Sequence, residues 1–274
     1  MSDFFADNNW TGLSDVIETE SEFIPLISPE DEDRMNMEKV PEELPILPLR
    51  NNVLFPGVVI PITLGRDKSI KLIQDAYKGN KIIGVVSQKD SSVEEPNYDD
   101  LFKIGTVAQI VRMLKMPDGS STIIIQGKKR LKLVEELSNE PYLLAKVEEF
   151  NEARLKKVSK QSEALFDSLK DMALNIIKNS PNIPSEASFA IKNIESPNFL
   201  VNFISSHMNA QVNEKQKMLE EPNINQRAQL LMKHLNKELQ HLELKNDIQS
   251  RVKTDLDQQQ KEYFLHQQMK EIQN

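Results

Sequence analysis

Few residues in this 274-residue chain have both the type and the spacing that chemistry needs. Gly127-Lys128 is its one Gly-Lys pair, and Thr122 stands where a phosphate-binding loop would place its first glycine. A nucleotide cradle of that kind is therefore excluded. The histidines are His207, His234, His241 and His266. His234 and His241 share a helix face, but the His-Glu-x-x-His spacing of a metalloprotease is absent. They read as solvated helix positions. No serine lies in a nucleophile-elbow pattern. A Ser-Lys dyad is defined in space rather than along the chain, and nothing here points to one.

Two further groups could bind rather than react. Lys128, Lys129, Arg130 and Lys132 follow a predicted hairpin. A nucleic-acid patch is one reading; with little aromatic interleaving, a solvated strand edge protected by lysines is the better one. Tyr263, Phe264, Leu265, Met269 and Ile272 lie on an otherwise polar helical run. They could pack against a continuation of the chain. Alternatively, Tyr263, Phe264 and Met269 could grip extended apolar polypeptide, since aromatics and methionine offer area and adaptable shape.

Charge and composition bound the setting. Residues 1–43 carry thirteen acids against Arg34 and Lys39, and the rest of the chain is slightly basic. This leader shows no sustained helix or strand period and reads as disordered. The chain lacks Cys, which excludes disulfides and zinc–thiolate sites and fits a reducing compartment. Acids stand where a signal peptide would carry bases, and the apolar runs are too short to span a bilayer. A cytoplasmic location is expected.

The elements that must position these groups fall into two parts. All eight glycines lie at or before Gly127, and glycine marks turns and bulges. Residues 44–150 read as short strands with one helix over Arg66–Tyr77, stopped by Gly79. Pro45, Pro48, Pro56 and Pro61 confine their strands to edges or bulges. Pro117-Asp118-Gly119 reads as a hairpin turn, and Leu143, Ala145 and Val147 form the inner face of a strand. A small barrel or coiled sheet follows.

Residues 151–274 read as helices. Leu155, Val158, Ser162, Leu165, Leu169, Met172 and Ile176 repeat at helical spacing, and Pro181 and Pro184 end that segment. A short helix is expected over Ser185–Ile194, and Ser196-Pro197 has the form of a helix start. Asn223 to Asn274 contains neither Gly nor Pro. Its stripe Leu231, Leu235, Leu239, Leu242 is rotated from a second stripe, Leu244, Ile248, Val252, Leu256. One helix facing two environments is expected; a break near Lys245 is the alternative. The pattern is still helical at the last residue, so a longer parent protein is expected.

The run Leu47-Pro48-Leu49-Arg50-Asn51-Asn52-Val53-Leu54-Phe55-Pro56-Gly57, with Pro61, Gly65-Arg66 and Ser69-Ile70, resembles the opening of Lon proteases. Gly105-Thr106-Val107-Ala108, Pro117-Asp118-Gly119 and Gly127 are similar to that family's next stretch. Glu262-Tyr263-Phe264-Leu265, Gln268-Met269-Lys270 and Ile272-Gln273 resemble the segment before its ATPase module. The matches keep family order from about residue 44 onward.

This resemblance implies an α+β chain: a β-rich PUA-like barrel, then a helical bundle ending in a long helix. It implies the N-terminal substrate-recognition and assembly region of an ATP-dependent serine protease that works as a ring, usually a hexamer, on misfolded and regulatory proteins. The catalytic modules lie outside the match, so no catalytic, cofactor or metal residue is carried over. ATP and Mg²⁺ are expected only of the whole protein. Rival readings are a stand-alone adaptor and, because PUA-like folds can bind it, an RNA-binding module.

Overall fold

The computed structural model describes residues 28–115, 121–150, 159–180 and 186–272. The chain begins there with helix α1 (Pro29–Met37), capped by Ser28, whose hydroxyl accepts from Asp31 N. An unstructured leader is therefore not what residues 29–37 adopt. Glu30, Asp31 and Glu32 lie in the helix's first turn, where acids complement the helix dipole, and Met35 is buried.

The β-rich part contains β1 (Glu43–Leu49), β2 (Val59–Leu64), α2 (Asp67–Lys78), β3 (Ile82–Ser87), β4 (Ile104–Lys115), β5 (Ser121–Ser138) and β6 (Leu144–Glu149). The hydrogen-bonded order is β2-β5-β4-β3-β1-β6, and β6 also pairs with β5. The circuit from β5 through β4, β3, β1 and β6 thus returns to β5. The long strand closes it by dividing one edge: residues 121–126 pair with β2 and residues 131–138 with β6. Register shifts along β4 and β5 supply the bending that closure needs. The expected hairpin turn at Pro117-Asp118-Gly119 lies outside the described residues.

Strand β1 is not the edge its prolines suggested. It pairs with β6 at Glu43–Pro45 and, in parallel, with β3 at Ile46–Leu49. The strand passes from one neighbour to the other. Pro45 is registered against β6 and Pro48 against β3, so a missing N–H is tolerated at each. Pro61 lies in β2, which has β5 as its one strand partner among the described residues.

Two glycines have specific work. Gly57 adopts φ 82°, which favours glycine, and its N–H donates to Gly127 O at 2.9 Å. At Gly127 a Cβ would overlap the Phe55 carbonyl oxygen, so the backbones of this turn and β5 can meet only without a side chain.

The helical part comprises α3 (Lys160–Asn179), α4 (Glu186–Asn193), α5 (Pro197–His207), α6 (Val212–Glu220) and α7 (Ile224–Ile272). Ser159 and Ser196 cap α3 and α5, accepting from Ser162 N and Phe199 N. Leu155 and Val158, expected to open the first helix, lie outside the described residues. One apolar cluster runs from Phe55 and Ile123 of the β part to Leu169, Phe203 and Leu231 of the bundle. A second fills the other side of the β circuit with Leu44, Ile46, Leu131 and Val147.

Helix α7 is continuous over 49 residues, with no break near Lys245. Its axis extends about 73 Å at about 1.5 Å per residue. Ile224, Ala228, Leu231 and Leu235 are buried, and Leu239 and Leu242 pack partly against the core. Asn246 still donates to Asn179 O at the end of α3, at 3.4 Å. Every residue from 243 to 265 is exposed. The change of stripe along the helix is the change from bundle to solvent.

Candidate functional site

The outer part of α7 presents two apolar features. Leu244, Ile248, Val252 and Leu256 are each 52–60% exposed. Spaced four apart, they form a slowly rotating stripe, which Tyr263 continues seven residues after Leu256. Tyr263 and Phe264 are 68% and 64% exposed, and Met269 is 56% exposed. The helix does not bring these three onto one face. At about 100° per residue, Phe264 lies a quarter-turn or so beyond Tyr263, and Met269 about a third of a turn to its other side. With Leu265, 59% exposed, they make four apolar side chains that point in several directions among exposed Lys261, Glu262 and Gln268. Exposed apolar side chains spread in this way offer contact area without directional hydrogen bonds. That chemistry suits binding of varied apolar segments.

Helix α7 is aimed by a polar joint between the two parts. Arg130 of β5 is 2% exposed and donates through Nη1 to Leu219 O at 2.7 Å and Glu221 O at 2.9 Å. Those carbonyls end α6, immediately before α7 begins. The guanidinium also lies 5.2 Å from the centre of the Phe150 ring. Gln216 Nε2 donates to Ile104 O, and Asn202 Nδ2 to Pro56 O. Asn202 Oδ1 in turn accepts from buried Arg227 in the first turn of α7. Each link ends on a fixed backbone carbonyl or a buried amide.

This joint corrects the reading of the basic cluster. Strand β5 is paired along both sides rather than forming a solvated edge. Lys129 pairs with Glu149 and Lys132 with Glu148 across to β6, and Arg130 faces inward. Only tertiary pairing distinguishes that arginine from its basic neighbours, so sequence spacing could not.

Among the described residues of the bundle, burial shifts three ionisable side chains. His207 Nδ1 donates to Phe203 O at 2.8 Å, and burial lowers its imidazole to about 4 against the opposing effect of that bond. Lys215 Nζ donates to Ser206 O at 2.7 Å, and burial lowers it to about 8. Burial raises Glu238 while Lys215 opposes the shift. His234 is half-buried, with Nδ1 3.9 Å from Glu214, and His241 is exposed. Among the described residues no group of three or more acids or histidines could hold a metal ion. Nor is any helix long and apolar enough to cross a membrane.

A β circuit joined to a helical bundle with one extended helix defines a known architecture. The N-terminal domain of the Mycobacterium avium complex Lon protease superposes with a TM-score of 0.59 at 18% identity, covering 71% of this chain and 98% of that one. The family model described as the ATP-dependent protease La (LON) substrate-binding domain matches residues 43–237. The Lon protease of Flavobacterium johnsoniae is 60% identical over 93% of this chain, and that of Cytophaga hutchinsonii 49% identical over 94%. The chain therefore belongs to the Lon substrate-binding domain family. It spans 31% and 32% of the length of those two relatives.

Proposed function

We propose that this chain is the N-terminal substrate-recognition and ring-assembly region of an ATP-dependent Lon protease that degrades misfolded and regulatory proteins in the cytoplasm. It carries no ATPase or peptidase activity of its own. ATP and Mg²⁺ serve the rest of the parent protein, whose ring is a hexamer. One observation carries this reading: a chain of the Lon substrate-binding family projects a solvent-exposed helix whose outer part exposes Tyr263, Phe264, Leu265 and Met269. Tyr263, Phe264 and Met269 are the residues assigned to polypeptide contact. The stripe from Leu244 to Leu256 is assigned to contacts within the ring. A single copy binds weakly, because it lacks the avidity of several linked copies.

The test of the non-catalytic assignment is incubation with ATP and unfolded casein. Neither should be hydrolysed, and hydrolysis of either contradicts it. Engagement of Arg130, Lys129 and Lys132 within the protein favours polypeptide over RNA as the partner. RNA binding that weakens steeply with salt would reverse that preference.

A further inference from the structure

The exposed stripe of α7 is nearly palindromic about the level of Ser250. Leu244 and Leu256 lie six residues to either side of it, and Ile248 and Val252 two. Lys245 and Asp255 lie five residues to either side. At about 100° per residue, these two charges flank the midline of the stripe, Lys245 about 40° to one side and Asp255 about 40° to the other. Both are exposed, and neither has an ion-pair partner among the described residues. Asp247 and Arg251, further from the midline on one side, pair with each other at 2.9 Å. His241 and Gln259, nine residues from Ser250 in either direction, end the apolar patch with polar groups.

Side chains four residues apart form a ridge on a helix surface, and two such ridges interdigitate with their axes crossing at about 50°. A crossing of that kind confines contact to a short patch, which suits an apolar run bounded by polar residues at both ends. The midline of the stripe lies about a third of a turn from the face of α7 that the bundle covers at Leu235, Leu239 and Leu242. The patch is therefore open to a second copy.

Charge then decides the direction of the pair. When two copies run antiparallel about a two-fold axis level with Ser250, Leu244 of each lies level with Leu256 of the other, and Ile248 with Val252. The two-fold repeats every contact, so Lys245 meets Asp255 twice. Parallel packing in register instead sets Lys245 against Lys245 and Asp255 against Asp255, and like charges repel.

We infer that α7 pairs antiparallel with α7 of a second copy of this chain, through this patch, with Lys245 and Asp255 facing across it. The inference rests on the assignment of the stripe to contacts between copies and adds their direction. Four apolar side chains per copy make a small interface, so the pair forms only at high protein concentration.

The test is sedimentation equilibrium, at low ionic strength, of the parent chain and of two charge reversals, Lys245→Glu and Asp255→Lys, alone and mixed. Both positions are exposed on one helix surface, so folding is retained, and circular dichroism checks it. Each reversal alone sets like charges together at two places and should weaken self-association at least fivefold. The equimolar mixture should associate within twofold of the parent, because each variant then supplies the charge that the other needs. Ile248→Ser with Val252→Ser is measured in parallel. Reversals that associate as the parent does, or a mixture no stronger than its components, overturn the inference. If the serine pair weakens association while the reversals do not, the antiparallel pairing fails and the assignment of the stripe stands. If the parent chain stays monomeric at about 1 mM, both fail.

Discussion

Arg130 sits in a run of four basic residues, yet its guanidinium is engaged inside the molecule, on the carbonyls that end α6. Charge-assisted bonds to buried carbonyls contribute more than neutral ones, and removing the donor leaves the acceptors unpaired. Arg130→Met should therefore lower unfolding free energy by about 3 kcal/mol, read from urea denaturation. A loss below about 0.5 kcal/mol, the range of ordinary surface changes, would show that the joint is not held this way. At this scale the sequence says who is present but not who meets whom. Ser196 before Pro197 was readable as a cap because the cap is local. The pairing of Arg130 with α6 links residues about ninety positions apart, and no local pattern encodes it.

At the scale of the element, periodicity was a good guide where elements are long or alternate cleanly. The inner face of β6 and the two stripes of α7 were readable, because burial follows side-chain period. Helix α6 was not: nine mostly polar residues give a weak apolar pattern, and its buried Met218 and Leu219 are adjacent rather than three or four apart. Helix α1 was hidden by the net charge of its surroundings, though its acids sit where the helix dipole favours them. Strand β5 runs from Ser121 through the basic cluster to Ser138, with register shifts against β6 only near its far end.

Two predictions belong here. In α5, His207 titrates near 4 when folded and near 6.5 when unfolded. The unfolded state binds more protons between those values, so stability is full above pH 6.5 and falls as pH drops toward 4. Between pH 7 and 5 this group should remove about 2 kcal/mol. His207→Gln should lose less over that interval than the parent protein in parallel denaturation. Equal losses would mean that the neutral imidazole is not what the bundle selects. In α7, Ile248→Ser with Val252→Ser should change folding stability by less than about 0.5 kcal/mol, since both side chains are half exposed. The same pair should reduce any concentration-dependent self-association seen by analytical ultracentrifugation. Unchanged association would remove the stripe from the proposed ring contacts.

For the whole molecule, the arrangement is a packed base from which one long helix projects. The β circuit and the bundle share one apolar cluster and a set of directional bonds. The joint sets the direction of α7, and the far end of α7 carries the exposed apolar residues Tyr263, Phe264, Leu265 and Met269. The broad architecture was visible in the two compositions of the chain, one glycine-bearing and strand-rich, the other free of glycine and helical. The docking between them was not, because it depends on Gln216 and Asn202 reaching backbone carbonyls across the interface. Loosening the joint should leave those apolar residues chemically intact but no longer held in one direction.

Binding of unfolded casein to the intact chain, followed by anisotropy beside the triple variant Tyr263→Ser, Phe264→Ser, Met269→Gln, tests the proposed role most directly. Weak saturable binding to the parent chain and at least a fivefold loss in the variant, with thermal stability unchanged, are expected. Equal affinity of the two proteins, or no binding by either, would contradict it.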